Sequence, residues 1–455
     1  MDQLIRVLGA TPQNITESLK LQRGTGIVTD SRCLVPQNIF VALRGERFDG
    51  HAFVGDVLQR GALTAVINRS VALDSLEIRA SETTSLPLLQ VDDTLAAYQA
   101  IAQWWRSQFP IPVIGVTGSV GKTTTKELIA AVLSTQGRVL KTEANHNNEI
   151  GVPKTLLNLD AHYDFAVIEM AMRAAGEIGL LAQIARPDIA VITNVGTAHI
   201  GRLGSEGAIA AAKCELLSEL PSTGTAVLNA DNPLLLETAQ RVWTGPTLTF
   251  GLTGGDLRGE VIDGHTLVVD GVPLPLPLPG HHNALNYLAA LAVARILQVD
   301  WEPLKAGLSL NLPAGRSQRI DLPNDIVILD ETYNAGLESM TAALHLLAET
   351  PGDRHIAVLG TMKELGDRSV DLHHQVGQTV RQLQLDHLLI LADPAEGAAM
   401  ATGAMPVPTE QFSDHGALAQ RLQALIKSGD RLLFKASRSV ALDRVVAEVR
   451  SQRSA

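Results

Sequence analysis

The sequence predicts an α/β protein of three units. These are a small N-terminal unit, a central and mostly parallel sheet entered through a phosphate-binding loop, and a C-terminal doubly wound, Rossmann-like sheet. Three observations carry this. Short apolar runs alternate with segments of helical periodicity along nearly the whole chain, the pattern of βαβ units. A glycine loop, Gly118-Ser119-Val120-Gly121-Lys122-Thr123-Thr124, lies directly between an apolar run and a helix. Breaks near 107–113 and 311–316 divide a chain of 455 residues, a length that suggests about three domains. We place the units at 1–107, 108–313 and 314–455.

In the first unit, Ile39–Leu43 and Ala65–Ile67 read as strands, with a helix over 52–60 between them. Residues 92–108 have apolar positions at helical spacing, and Phe109-Pro110-Ile111-Pro112 stops that helix. The central unit opens at the strand Val113–Val116, followed by a helix over 126–133. Buried-strand runs follow at 165–168 and 189–192, with helices over 176–185 and 205–220. Residues 248–272 are rich in hairpin signals. Pro273–Pro279, with a proline at every second position, must be extended and fits a sheet edge, since proline cannot donate to a ladder. A helix covers 283–298. In the last unit, strand runs at 326–330, 356–360, 388–391 and 431–435 are separated by helices.

Composition narrows the function. The chain is 45% hydrophobic and 19% charged with a net charge of −11, which argues against a broad basic face for nucleic acid or anionic membrane. The longest apolar helical stretch, Ala284–Ala294, is far too short to span a bilayer. Two cysteines, Cys33 and Cys214, make neither a disulfide framework nor a zinc set, and free thiols suit a reducing cytoplasm. No secretory leader is read at the N-terminus.

The loop has the chemistry of a polyphosphate cradle. Glycines let backbone N–H groups approach an anion, and the following helix N-terminus adds partial positive charge. Lys122 supplies a point charge for the β- and γ-phosphates, and the hydroxyl of Thr123 or Thr124 suits Mg²⁺. The usual phosphate-loop spacing would put a glycine at 116, where this chain has Val116, so the loop is a shorter variant.

A series of motifs follows in order: Thr117–Glu127, Asn145-His146-Asn147-Asn148-Glu149-Ile150-Gly151, Glu169-Met170-Ala171-Met172-Arg173, Asn194-Val195-Gly196-Thr197-Ala198-His199 and Ala212-Lys213-Cys214-Glu215. This series resembles the Mur ligases, ATP-dependent amino-acid ligases of peptidoglycan precursor synthesis, over essentially the whole chain. Asp30-Ser31-Arg32, Ala42–His51, Asp330–Ala335 and Leu359–Gly366 are similar to the branch that joins D-alanyl-D-alanine to UDP-N-acetylmuramoyl-tripeptide. The Asp-Asn-Pro-Arg motif of the diamino-acid-adding branch is absent. Ala171, Gly336-Leu337 and Ala436 depart from the family's usual glycine, Asn-Pro and glycine.

The resemblance implies a three-domain Mur ligase architecture and two substrates besides ATP, in a cytoplasmic monomer that uses Mg²⁺, two ions in all. It implies catalytic roles for Lys122, Glu169, His199 and Lys213. Glu169 ends a buried strand where open α/β sheets place their ligands, and with Thr123 and His199 it is a metal-side residue. Lys213 is a ligand once carbamylated. ATP contacts are expected from Gly118 to Thr124, from Asn283 towards adenine, from Arg316 at the γ-phosphate, and from Asp330, Tyr333 and Asn334. The nucleotide sugar falls to Ser31, Arg32, Arg47, Asp49, Gly50, His51, Asn145 and Asn148. Each also has a plainer reading: an Asn at a helix start is a cap, and arginines and turn asparagines are common on surfaces. A diamino-acid ligase and an inactive nucleotide-binding relative are the alternatives. The last unit is expected to swing in over ATP.

Overall fold

The computed structural model describes residues 1–46, 48–72 and 86–453. It contains three sheets, each confined to one stretch of chain. The first has five strands in the order Thr11–Gln13, Leu88–Val91, Thr64–Asn68, Ile39–Val41, Ile27–Val28, parallel except for the first pair. Its last helix, Thr94–Arg106, is capped by Asp93, whose carboxylate accepts the N–H groups of Leu95 and Ala96. That helix is stitched to the central unit by Arg106, which donates to Ala185 O at 3.1 Å and to Asp188 Oδ2 at 3.1 Å.

The central sheet has nine strands. From one edge they run Val272–Pro275, Thr266–Val269, Leu257–Ile262, Thr247–Gly251, Thr225–Asn229, Ile189–Ile192, Val113–Thr117, Phe165–Glu169 and Val139–Lys141. The first three pair antiparallel and the rest parallel. The proline-rich run enters the edge strand Val272–Pro275, where its missing N–H groups cost no internal ladder bond. Strands Val139–Lys141 and Thr225–Asn229 were not anticipated: the first is only three residues long, too short for a periodic signal. The phosphate-loop helix spans Lys122–Leu133 and so starts four residues before the expected 126. Three consecutive threonines mask its periodicity, and Gly121 leads straight into its first turn.

The third sheet runs Gln318–Leu322, Ile326–Asp330, Asp430–Lys435, Arg354–Gly360, His387–Leu391 and Thr409–Phe412, parallel except for the first pair. One apolar cluster continues from the central unit (Ile192, Val195, Ile200) into the third (Met340, Met362, Leu365), so these two units share packing. Ala436 is fully buried, and a Cβ on Gly360 would meet its methyl at 2.7 Å. The two positions therefore have room for one side chain between them. Among the described residues no helix is long and apolar enough to cross a membrane.

Candidate active site

Strands Val113–Thr117, Phe165–Glu169 and Ile189–Ile192 lie side by side, with Val116 opposite Glu169 and Thr117 opposite Ile192. Their C-terminal ends therefore deliver the phosphate loop, Glu169 and the Thr193–His199 segment to one edge of the sheet. Val116 is fully buried within its strand, so the loop begins only after Thr117.

The loop is clamped from the neighbouring strand end. Val120 N donates to Asn194 Oδ1 at 3.0 Å, Thr193 Oγ1 donates to Val120 O at 2.6 Å, and Gly196 N donates to Ser119 Oγ at 2.9 Å. A Cβ on Gly118 would lie 1.9 Å from Thr193 Oγ1, and one on Gly121 2.4 Å from Asn286 Oδ1. Gly121 also has φ +82, open to glycine at no steric cost. Among the described residues the amides of Gly121, Lys122, Thr123 and Thr124 find no backbone acceptor, as the first turn of a helix must leave them. They form the anion cradle. Lys122 Nζ donates to the loop carbonyls of Gly118 and Ser119 at 2.8 and 3.2 Å. Burial holds its pKa below the usual lysine value, against the Glu169 carboxylate and with the help of Arg316.

Glu169 is buried. Its Oε1 accepts from Asn147 Nδ2 at 2.7 Å, and its Oε2 has no partner among the described residues. Arg316 lies with its guanidinium 3.9 Å from the centre of the Tyr333 ring, and its Nε is also buried without a partner. Among the described residues only three buried side-chain polar atoms are orphaned, and two of them are here. Buried polar groups are almost always satisfied, so orphans gathered at one cleft mark where a ligand supplies the partner.

The Lys213 side chain is buried in the helix Glu206–Ser218 and makes no hydrogen bond among the described residues; burial, then the Lys122 charge, drive its amine well below the ordinary lysine range. His199 adopts φ +67, and its Nδ1 pairs with Glu364 Oε2 at 2.5 Å. Burial and Lys122 lower its pKa, while Glu364 opposes the shift. The Lys122 charge thus acts on both His199 and Lys213, and Glu169 acts on Lys122. Among the described residues no group of three or more His, Cys, Asp or Glu side chains is assembled to hold a metal. A single carboxylate, Glu169, still fits Mg²⁺, which binds through few protein ligands plus waters and phosphates.

The third unit reaches the same cleft. Asp330 Oδ1 is taken by the N–H and hydroxyl of Thr332, Tyr333 N donates to Gly315 O, and Asn334 is exposed with its carbonyl held by Lys435 Nζ at 3.0 Å. Asn283 is not the helix cap: Gly280 holds that place, and Asn283's amide bonds Pro279 O at 2.8 Å while its carbonyl accepts from Asn286. Asn286 in turn accepts from Thr125 of the phosphate-loop helix at 3.1 Å. Asn283 therefore braces that helix from a buried position.

Around the first unit, several of the groups expected to meet the nucleotide sugar are engaged within the protein. Both ring nitrogens of His51 are used inside the unit, Nδ1 by Asp49 at 2.5 Å and Nε2 by the Asn68 N–H at 2.9 Å, and the side chain is buried. It pins its loop to the strand Thr64–Asn68. Gly50 N is spent on Leu43 O. Asn148 Oδ1 accepts from the Ile150 and Gly151 N–H groups, so its side chain folds back on the turn that leads into the helix Gly151–Leu156. Arg47 lies outside the described residues. Asn145 is exposed, as is Arg32, which pairs with Asp30 at 2.7 Å and holds that carboxyl down at about 2. Ser31 O accepts from Arg60. Asp49 also pairs with Arg44 at 3.0 Å. Lys154 of the central unit also acts on Asp30, so this loop faces the central unit. Asn147, Glu338 and Glu364 were not singled out from sequence, although Asn147 and Glu364 stand inside the quoted motifs; no residue-type signal separates them from neighbouring surface polar groups.

Residues 116–294 match the Mur ligase middle domain, and residues 315–438 match the Mur ligase glutamate ligase domain. A UDP-N-acetylmuramoyl-tripeptide–D-alanyl-D-alanine ligase of Synechocystis sp. is 57% identical over 436 residues, covering 96% of this chain and 93% of the relative. The chain belongs to the Mur ligase family. Solved Mur ligases share its architecture throughout. A MurF crystal structure from Acinetobacter baumannii superposes with TM-score 0.87 at 30% identity, covering 99% of this chain and 98% of that one. The Thermotoga maritima MurF, solved with ADP, gives 0.82 at 31% identity over 96% and 99%.

Proposed function

We propose that this Mur ligase joins D-alanyl-D-alanine to UDP-N-acetylmuramoyl-tripeptide with ATP, as a step of peptidoglycan precursor synthesis. The observation that carries the chemistry is the orphaned Glu169 Oε2 beside Lys122 at a helix N-terminus. The relatives' shared activity carries the substrates.

The terminal carboxylate of the tripeptide attacks the γ-phosphorus and ADP leaves, giving an acyl phosphate. The amine of D-alanyl-D-alanine then attacks that carbonyl, phosphate departs, and the nitrogen loses a proton. Phosphoryl transfer asks for positioning and charge neutralisation rather than covalent help. The free amides from Gly121 to Thr124 hold the phosphates, Lys122 neutralises the γ-phosphoryl, and Arg316 offers its fork from the third unit. Thr123, Glu169, His199 and carbamylated Lys213 would hold Mg²⁺, which when bound neutralises phosphate charge. The carbamylation reading is supported by burial: a neutral amine can attack CO₂, losing a proton to become a carbamate. Asp330, Tyr333 and Asn334 are proposed along the nucleotide, with Ser31, Arg32, Asp49 and Asn145 towards the nucleotide sugar. The proposed unit boundaries, after 107 and 313, are supported by the confinement of each sheet.

The deciding assay measures ADP and phosphate release with UDP-N-acetylmuramoyl-tripeptide and a panel of amines. Release with D-alanyl-D-alanine alone is expected. Release with D-glutamate or a diamino acid instead would sink the substrate assignment.

A further inference from the structure

The segment Asn194–His199 is held from two sides. From within its own unit it clamps the phosphate loop, through Asn194 on Val120 and Gly196 on Ser119. From the third unit it receives two carboxylates. Glu338 accepts the Thr197 N–H at 2.6 Å and the Thr197 hydroxyl at 3.3 Å. Glu364 places Oε2 at 2.5 Å from His199 Nδ1, and its Oε1 pairs with Arg202 at 3.1 Å.

The backbones meet as closely as the side chains do. Gly201 N donates to Glu364 O at 3.1 Å. A Cβ on Gly201 would lie 2.4 Å from Gly366 N, and one on Gly196 2.4 Å from Glu338 Oε1. Neither Gly196 nor Gly201 has a positive φ, so the lack of a side chain there is a matter of space between units, not of backbone conformation. His199 itself sits in the left-handed region at φ +67, a conformation that persists only where surrounding contacts impose it.

We infer that Glu364 is a positioning residue for His199, delivered by the third unit and secured by Glu338. A carboxylate on Nδ1 fixes the tautomer and orientation of the ring and leaves Nε2 for the reaction centre. Because that carboxylate belongs to the other unit, His199 is oriented only while the third unit is docked. Docking and competence for phosphoryl transfer are thereby one event, and Glu338 extends it through Gly196 to Ser119 of the phosphate loop. Glu364 touches no substrate; it acts through His199. This inference rests on the ligase reading above.

The test compares Glu364→Ala, Glu364→Gln and Gly201→Ala in the full chain. Glu364→Ala is expected to lower kcat by roughly 10–100-fold, the usual cost of losing a supporting carboxylate, with KM for ATP, tripeptide and amine near wild type. Glu364→Gln keeps an acceptor of the same length and should recover most of the loss. Gly201→Ala leaves Glu364 and His199 intact but separates the units, so it should reproduce the kcat loss while ADP affinity stays near wild type. It also keeps the inference testable if Glu364→Ala fails to fold. Wild-type kcat in Glu364→Ala or in Gly201→Ala, or equal loss in the Ala and Gln variants, overturns it. If the wild type releases no ADP with D-alanyl-D-alanine, the ligase reading falls, and the imidazole nitrogen shifts of His199 then carry the test. Protonated Nδ1 in wild type with a changed tautomer balance in Glu364→Ala supports the inference, and unchanged shifts overturn it.

Discussion

Asn147 Nδ2 donates to Glu169 Oε1 at 2.7 Å, which leaves Oε2 as the buried, unpartnered end of the carboxylate. The amide thus sets which oxygen faces the cleft. Asn147 also ties its loop to the strand end, since its carbonyl accepts from Ala171 N at 2.9 Å. Asn147→Ala should lower kcat by about tenfold or more, in line with loss of a supporting hydrogen bond to a ligand group. Steady-state kinetics with unchanged thermal stability would bear this out; unchanged kcat would show that Glu169 holds its orientation alone.

Lys122 is the charge inside the phosphate loop. Lys122→Ala should reduce turnover by at least about 100-fold, the scale of losing one preorganised stabilising group. Thr193, Asn194 and Gly196 hold the loop besides this side chain, so the circular dichroism spectrum should not change. Wild-type rates in the variant would remove the loop from the mechanism.

Gly121→Ala should damage both fold and nucleotide binding. Its φ of +82 costs a non-glycine residue about 1–3 kcal/mol, and the added methyl would meet Asn286 Oδ1 at 2.4 Å. A lower melting temperature together with weaker ADP binding is the expected pair of results.

Lys213 should respond to carbon dioxide. Its buried amine, held well below the usual lysine range by burial first and Lys122 second, is poised to form a carbamate. Activity should fall in CO₂-depleted buffer and return on adding bicarbonate. Equal rates in both buffers would leave Lys213 as an unmodified buried amine.

Stability should decline as pH falls through the histidine range. His373 is fully buried, with Nε2 accepting from Met362 N at 2.9 Å and Nδ1 against Ser369 O at 2.6 Å. Burial keeps its folded-state pKa below that of the unfolded chain, which is about 6.5. The unfolded chain therefore takes up the proton first, and stability present above about pH 6.5 is lost progressively below it. His146, His199 and His282 shift in the same direction. Denaturation midpoints across this range should slope accordingly, and His373→Gln should flatten the slope while lowering stability throughout.

Much of the fold was legible because its strands are buried runs with a local signal. Ile189–Ile192 appears in the structure with the bounds read from sequence, and the alternating prolines after 272 fell at a sheet edge as their missing donors require. Strands of two or three residues, such as Ile27–Val28 and Val139–Lys141, carry no such period and were missed.

By itself the sequence determined the α/β class, the phosphate loop, and the presence of Lys122, Glu169, His199 and Lys213 in an order that points to this family. Those are properties of residue type and local spacing. Only the tertiary structure decided which polar groups are free. His51 and Asn148 carry side chains suited to a ligand, yet His51 is engaged by Asp49 and by the strand-end Asn68 N–H, and Asn148 by the turn that follows it. Glu364 and Glu338 look like ordinary surface carboxylates, yet they close on His199 and Thr197 across 165 and 141 residues of chain. A hydrogen bond depends on distance in space, and spacing along the chain does not encode that once the partners lie in different units.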